Sequence, residues 1–275
     1  KNTNTSELSE KPKLIITAIG TGAVQPLYSF WRRPLLKWAY RKADAVTAVS
    51  NNTKKEILKV MPDLKIEVIN HGVDYQKFLI TNYQLPITVT KPYILSVGAF
   101  KKRKGYEYSI QAYAKIAAKF PDLNYVIVGN GPEKENLQLL ITNCRLQHRI
   151  IFLSDLPEEE LIALYQNAEL FILLSQDDQK DIEGFGLVFL EAAAAGLPVI
   201  ATKETSAEDA VRDGKNGILV PSRDYQRAAE AIKKILSDEN LKKSMSEESL
   251  KFAREMSWEK AANLYKEIYF TQIHQ

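Results

Sequence analysis

Cysteine, histidine and long apolar runs are the features that this sequence has least of. One cysteine among 275 residues, Cys144, excludes an internal disulfide and fits the reducing cytoplasm. The three histidines fall in no HExxH pattern, and neither GxSxG nor CxxC occurs, so these catalytic signatures are excluded. No apolar run approaches a membrane span, and the first residues show no signal peptide. We therefore expect a cytoplasmic protein.

Neither sign of charge dominates the composition. The 37 Lys and Arg residues exceed the 34 Asp and Glu residues by only +3, which is too little to argue for a nucleic-acid partner. The apolar content of 45% is ordinary for a globular protein. A chain of this length can form two domains, each with its own core.

Strands and helices alternate along the chain, which predicts an α/β fold with parallel sheets. The part before residue 79 offers only a few clear strands, against about six in a complete doubly wound domain. We therefore expect part of the N-terminal domain to be missing. The predicted division is a disordered tail at residues 1–12, a partial first domain at 13–78, a linker at 79–92, a second domain at 93–256 and a final helix at 257–275.

The strongest indication of a binding site lies between residues 183 and 200. Gly184 and Gly186 allow a tight turn, and the breaker-free residues 187–195 predict a helix that begins there. The N–H groups and the dipole of such a helix end attract an anion. Glu183 precedes the turn, and Glu191 is the only charge in an otherwise apolar helix, where an unpartnered carboxylate is costly. The stretch therefore predicts two carboxylates around an anion site.

A basic loop follows the first strand of the second domain. Gly98 ends that strand, and residues 101–104 are consecutive cations, which repel one another unless they are solvated or face an anion. A solvated loop is the usual meaning of such a run. The position of Arg103 and Lys104 beside the next helix favours contact with a phosphate, whereas we expect the two preceding lysines to face solvent.

A second glycine turn follows the next strand, with Gly129 and Gly131 on either side of Asn130. It matches neither GxGxxG nor a P-loop. Two interpretations remain open: a tight turn between strand and helix, or a wall of a nucleotide cleft that needs small residues for access.

Acidic residues precede the predicted anion site. Asp177, Asp178, Asp181 and Glu183 carry oxygen ligands that magnesium accepts, but their spacing matches no metal motif. We favour solvated loop charges for the three aspartates and predict no metal site. His71 lies in a turn near the linker, where a role in the cleft and a structural role both remain open.

A basic, aromatic helix is predicted at residues 30–42. Its mixture of tryptophan and cations can lie on an anionic membrane surface, which would place the protein at the inner face of the membrane. The favoured alternative is an amphipathic helix that packs its Trp and Leu side chains on the sheet and turns its cations outward. Contact with a membrane through residues 31–42 stays open.

Together these motifs resemble the retaining glycosyltransferases of family four, whose GT-B architecture has two Rossmann-like parallel-sheet domains facing a cleft. The most specific match is the E-x7-E signature, here Glu183 to Glu191, followed by Ala-Gly-Leu-Pro-Val-Ile-Ala. Further matches lie at residues 43–50, 70–74, 97–98, 104–105, 128–132 and 213–221.

The resemblance implies transfer of a sugar from a nucleotide-sugar to a saccharide or lipid-linked acceptor, with retention of configuration and without a cofactor or metal. Glu183 would contact the donor sugar, Glu191 the ribose, and Arg103 and Lys104 the leaving diphosphate. The donor-binding set would comprise Gly98, Gly129, Gly131, Gly184, Phe185, Gly186, Leu187 and Glu191. The last helix would cross back onto the first domain. The product would belong to polysaccharide or glycolipid biosynthesis.

The sequence departs from the family pattern at two positions. Ala99 stands where many members have arginine, so Arg103 would take over its task, and Ile19 stands near a frequent histidine. Together with the missing part of the first domain, these departures leave two alternatives open. One is a nucleotide-sugar-binding module that needs a missing N-terminal half, and the other is a metal-dependent phosphotransferase that uses the acidic cluster.

Overall fold

The computed structural model describes residues 13–80, 82–177 and 181–273, which form two parallel sheets covered by helices. The predicted tail at residues 1–12 lies outside the described residues, as does Asp178. The α/β fold class that the alternating pattern predicted is confirmed.

The first sheet contains three parallel strands in the order β1-β2-β3. They are β1 (Ile15–Ala18), β2 (Ala45–Ala48) and β3 (Glu67–Val68). Its helices are α1 (Gly20–Val24), α2 (Arg33–Lys42) and α3 (Asn51–Leu58). Helix α3 begins directly after Ser50, whose side chain accepts a hydrogen bond from the N–H of Thr53 at 3.0 Å and so caps the helix.

The second sheet contains six parallel strands in the order β6-β5-β4-β7-β8-β9. They are β4 (Tyr93–Val97), β5 (Asn124–Val128), β6 (Ile150–Leu153), β7 (Phe171–Leu173), β8 (Val199–Thr202) and β9 (Gly217–Val220). The order reverses between β4 and β7. A ligand of a doubly wound sheet binds at the carboxyl ends of the two strands that flank such a reversal.

Seven α-helices follow the first sheet in the described part of the chain. They are α4 (Tyr106–Ile116), α5 (Lys134–Asn143), α6 (Glu158–Asn167), α7 (Leu187–Ala194), α8 (Tyr225–Leu236), α9 (Glu239–Glu255) and α10 (Trp258–Ile273). Strands β4, β7 and β8 are buried along their whole length, as expected for parallel strands with helices on both faces.

The last helix packs against the first sheet. Ala261 and Ile268 of α10 form a small apolar cluster with Ile69, next to β3. The N–H of Val73 donates to the carbonyl oxygen of Met256 at 2.8 Å, just before α10 begins. The chain therefore returns to its first sheet after completing the second.

Helix α2 contradicts the amphipathic packing favoured from the sequence. Leu35 and Trp38 of α2 are 69% and 59% exposed, and Phe30 and Trp31 before the helix are 81% and 86% exposed. Only Tyr40 of the α2 residues is fully buried. The prediction was wrong because it treated the aromatic residues as core-facing, whereas Tyr40 is the only aromatic residue of α2 that packs into the apolar core of the first domain.

None of the helices in the described part of the chain is both long and apolar enough to cross a bilayer.

Candidate functional site

The basic loop and the first glutamate of the signature meet at the reversal between β4 and β7. Nη1 of Arg103 lies 2.5 Å from Oε2 of Glu183, and Nζ of Lys104 lies 2.6 Å from the same oxygen. Glu183 and Lys104 are 8% and 7% exposed. Burial alone raises the pKa of Glu183, but the neighbouring Lys104 and Arg103 outweigh it and lower the pKa below its ordinary value. The carboxylate is therefore ionised and held between two cations.

Gln176 holds the basic loop in place, and the sequence did not single it out. Its N–H donates to the carbonyl oxygen of Arg103 at 2.6 Å. Its side-chain amide donates to the carbonyl oxygen of Leu174 at 2.6 Å and accepts from the hydroxyl of Ser222. Gln176 thus ties the loop after β4 to the loop after β7. No local motif marks it, because its partners are far away in sequence.

Helix α7 begins at the predicted glycine turn, with Gly186 as its N-cap. The N-terminus of α7 therefore lies at the carboxyl ends of β4 and β7, beside Glu183 and the basic loop. An anion bound there would interact favourably with the helix dipole. Among the described residues, Lys101 and Lys102 of the same loop are exposed, as the sequence predicted.

Glu191 lies in the second turn of α7 and is bound by a residue of α6. The hydroxyl of Tyr165, which is 1% exposed, donates to Oε2 of Glu191 at 2.8 Å. Burial raises the pKa of Glu191, and this hydrogen bond opposes the rise. Tyr165 was also missed from the sequence, where it reads as an ordinary core residue of a helix. The half-buried carboxylate of Glu191 thus has a hydrogen-bond partner.

A cavity of about 190 Å³ lies beside Glu191. Leu187 and Tyr165 line it from the second domain, and Lys77 and Trp258 line it from the connection and the last helix. Both halves of the molecule therefore contribute residues to the lining of this cavity.

The two glycine turns after β4 and β5 pack against each other. A Cβ atom on Gly129 would lie 2.0 Å from the carbonyl oxygen of Gly98, which no side chain could tolerate. The requirement for glycine at position 129 therefore comes from loop packing within the second domain. This favours the tight-turn interpretation of the second glycine turn.

His71 serves in packing between the two halves. Its ring stacks on Phe185 with centroids 5.6 Å apart and meets Trp258 edge-on at 5.3 Å. Burial lowers the pKa of His71, so the ring is neutral near pH 7. The side chain of Phe185 is 3% exposed. The structural interpretation of His71 is therefore the better one.

The acidic loop contacts the first domain. Nδ2 of Asn52 lies 2.5 Å from Oδ2 of Asp177, and the hydroxyl of Thr21 lies 2.8 Å from Oδ1 of Asp181. The expectation of a solvated charge is wrong for Asp177, because a polar residue of the other domain covers it. In the part of the chain that the structure describes, no three His, Cys, Asp or Glu side chains gather as they would around a metal ion.

Comparison with known families matches nearly the whole chain. Residues 81–252 match the family described as Glycosyl transferases group 1. Residues 9–77 match the family described as Glycosyltransferase Family 4.

Two similar curated proteins are bacterial. The chain is 30% identical over 221 residues to a GDP-mannose-dependent alpha-(1-6)-phosphatidylinositol monomannoside mannosyltransferase of Mycolicibacterium smegmatis, with 74% of this chain and 57% of that protein covered. It is 28% identical over 270 residues to the N-acetyl-alpha-D-glucosaminyl L-malate synthase of Bacillus anthracis, with 96% and 69% covered. The chain spans about half the length of the curated relatives it matches first.

Solved structures share the fold. The sucrose-phosphate synthase of Thermosynechococcus elongatus superimposes with a TM-score of 0.79 at 23% identity, covering 97% of this chain and 69% of that one.

Proposed function

Since the chain belongs to the glycosyl transferases group 1 family and has the GT-B fold, we propose that it transfers a sugar from a nucleotide-sugar donor to a saccharide or lipid-linked acceptor, with retention of anomeric configuration. The observation that carries this proposal is the convergence of Arg103 and Lys104 on Glu183 at the N-terminus of α7. These groups can bind a diphosphate and a sugar side by side.

The cations and the helix end would stabilise the leaving group. Breaking the bond between sugar and phosphate builds negative charge on the departing diphosphate. Arg103, Lys104 and the N–H groups at the start of α7 are fixed positive groups that need no reorganisation to meet this charge. We infer that transfer needs no metal ion. Full transfer in excess chelator is expected and would eliminate the metal-dependent phosphotransferase alternative, whereas loss of transfer would contradict the inference.

Glu183 and Glu191 would bind different parts of the donor. Glu183 would accept hydrogen bonds from the sugar hydroxyls, close to the reacting carbon. Glu191, held by Tyr165, would accept hydrogen bonds from the ribose, and the backbone of residues 184–187 would hold the diphosphate between them. The cavity beside Glu191 supports this assignment, because it offers space next to the ribose acceptor.

The test is a screen of UDP-, GDP- and ADP-sugars with nucleotide release as the readout. Release that depends on an added saccharide or lipid-linked acceptor is the expected result. Nucleotide binding without release would instead favour a binding module that needs further chain for transfer. Absence of both binding and release contradicts the proposal.

We further infer that an anionic membrane surface binds α2. The exposed Phe30, Trp31, Leu35 and Trp38 stand beside exposed cations, namely Arg32, Arg33, Arg41 and Lys42, and residues 28–42 contain no acidic residue. Tryptophan beside cations suits the boundary between headgroups and acyl chains. An acceptor carried on a lipid would then lie near the first domain.

Sedimentation with phosphatidylglycerol vesicles tests this surface. The wild-type chain should sediment with these vesicles and not with phosphatidylcholine vesicles, and the double variant Trp31→Ala, Trp38→Ala should stay in solution. Phe270→Ala, which removes an aromatic side chain that is 60% exposed on α10, is the matched control. Equal sedimentation of both variants contradicts the inference.

A further inference from the structure

The N-terminal end of α3 touches the loop that carries Glu183. Oδ2 of Asp177 accepts a hydrogen bond from the side-chain amide of Asn52 at 2.5 Å. Oδ1 of the same carboxylate accepts from the backbone N–H of Glu183 at 3.1 Å. One carboxylate therefore connects a first-domain side chain to the backbone of the signature glutamate.

A second first-domain side chain holds the preceding residue. The hydroxyl oxygen of Thr21 accepts from the N–H of Ile182 at 3.0 Å and lies 2.9 Å from the carbonyl oxygen of the same residue. The peptide between residues 182 and 183 is thus held at its carbonyl oxygen by the first domain and at its N–H by Asp177 of its own loop. Contact between the domains therefore reaches the backbone of Glu183 through Asp177.

We propose that Asp177 is a positioning residue that couples contact between the two domains to the placement of Glu183. This inference rests on the proposed function, because it assigns Asp177 a role in preparing Glu183 for the donor sugar. Asp177 touches neither of the groups that would bind the donor, Arg103 and Lys104, and acts through the backbone of Glu183.

The charge of Asp177 suits this role. An ionised carboxylate accepts hydrogen bonds on both oxygens, whereas a neutral acid turns one oxygen into a donor. Both partners here are N–H donors, so only the ionised form serves both. Burial raises the pKa of Asp177 to about 6, its two hydrogen bonds oppose the rise, and the charges of Glu183 on its own loop and Glu56 on α3 add to it. The cation of Lys59, at the end of α3, also interacts with Asp177.

A second interdomain contact supplies a matched control. The N–H of Asn51 donates to Oδ2 of Asp209 at 2.9 Å, and the Asn51 side chain donates to the other oxygen at 2.5 Å. This pair joins the same helix end to the second domain, but it makes no bond to the backbone of residues 182–183. Asn51→Ala therefore weakens contact between the domains without releasing the peptide that precedes Glu183.

The experiment compares five variants. Three are single substitutions, Asp177→Ala, Asp177→Asn and Asn52→Ala. The fourth combines Asn52→Ala with Asp177→Ala, and the fifth is the control Asn51→Ala. We expect kcat to fall at least about tenfold in both Asp177 variants, since small misplacement of a reacting group is costly. The dissociation constant of the nucleoside diphosphate should change less than about twofold. The double variant should lose no more activity than Asp177→Ala alone, because the two residues act in one chain of contacts.

Exchange of the Glu183 amide hydrogen, followed by NMR, provides a readout that does not need activity. Exchange should accelerate about tenfold in Asp177→Ala and in Asn52→Ala, the loss expected from one hydrogen bond, and stay unchanged in Asn51→Ala. Circular dichroism identifies a variant that fails to fold, in which case Asp177→Asn and Asn52→Ala carry the test.

The outcomes separate the two proposals. A wild-type chain that transfers no sugar overturns the proposed function, while amide exchange still decides whether Asp177 couples the domains to Glu183. Unchanged amide exchange in Asn52→Ala, or additive losses of kcat in the double variant, overturns the positioning role even if the wild-type chain transfers sugar.

Discussion

Glu183 and Glu191 stand on the same turn-and-helix unit, yet their surroundings change their pKa values in opposite directions. Both are withdrawn from water, which raises the pKa of each. Only Glu183 has two cations within ion-pair distance, and these lower its pKa below the ordinary value. Two glutamates with different acidities suit different tasks in one site.

Replacing Glu183 by glutamine should separate binding from transfer. The amide keeps the shape of the side chain but removes the charge that faces the sugar and the two cations. We expect kcat to fall roughly 100-fold, the magnitude typical for one preorganised electrostatic group, while nucleotide affinity stays within a few-fold. Steady-state kinetics and calorimetric titration with nucleoside diphosphate measure the two quantities. An unchanged kcat in this variant would contradict the role assigned to Glu183.

Tyr165→Phe should weaken nucleotide binding through Glu191. Loss of the donated hydrogen bond raises the pKa of Glu191 further above its ordinary value, and a protonated carboxyl accepts ribose hydroxyls poorly. We expect about tenfold weaker binding near pH 7, the worth of one hydrogen bond to a charged group. Affinity should fall as the pH decreases, and the fall should begin at a higher pH in the variant.

Tyr113→Phe is the matched control for Tyr165→Phe. Its buried hydroxyl donates to the carbonyl oxygen of Leu123 at 2.5 Å, away from both glutamates. Binding should be unaffected in this variant at every pH. Equal losses in the two variants would indicate a general loss of packing and would contradict the assigned role of Tyr165.

The sequence predicted the residues that share a motif and missed those that support them. Glu183, Glu191, Arg103 and Lys104 follow strand ends or glycine turns, so local pattern was enough to single them out. Tyr165, Gln176 and Asn52 act on partners from other elements. Their roles depend on which elements become neighbours, and one sequence does not supply that information.

At the scale of elements, the alternation of apolar strands and amphipathic helices was sufficient to predict an α/β fold with parallel sheets. Strands β4, β5 and β9 and helix α6 all fall in the alternating part of the chain that the sequence analysis assigned to the second domain. For helix α2, the prediction of which side chains pack against the sheet was wrong. Burial of one face depends on where the helix lies against the sheet, and its mixed aromatic and basic residues do not specify this.

Helix α3 offers a test of capping within an interdomain contact. Ser50 is fully buried, and Ser50→Ala removes the acceptor for the Thr53 N–H. We expect the free energy of unfolding to fall by about 1 kcal/mol or more, as for other N-caps. Asp238→Ala removes the exposed cap of α9, which accepts from Leu241 at 3.0 Å, and serves as a comparison. Chemical denaturation measures both, and a stable Ser50→Ala variant would contradict the prediction.

At the scale of the whole molecule, the two domains meet at a contact without side chains. A Cβ atom on Gly20 would lie 2.7 Å from Cα of Gly184, and Gly20 has a φ of +46°, a conformation that glycine adopts readily. Backbone meets backbone here because neither residue has a side chain. The backbone at Gly20 therefore lies directly against the loop that carries Glu183.

Gly20→Ala should hold the domains apart. The added methyl group would clash with the backbone of Gly184, so we expect a larger radius of gyration in small-angle X-ray scattering and a loss of transfer. Gly22→Ala is the control, because a Cβ atom at Gly22 meets no atom within 4 Å. A Gly20 variant with unchanged dimensions would show that the contact can shift without cost.

The central position of β4 has a consequence for synthesis of the chain. One edge of β4 pairs with β5 soon after both strands emerge, but the other edge pairs at Leu95 with Phe171, far later in the chain. Until β7 has left the ribosome, a strand that is wholly buried in the finished protein presents open backbone hydrogen-bonding groups. Such an edge recruits other strands. A nascent chain stopped between β6 and β7 should therefore depend on chaperones more than the finished protein does.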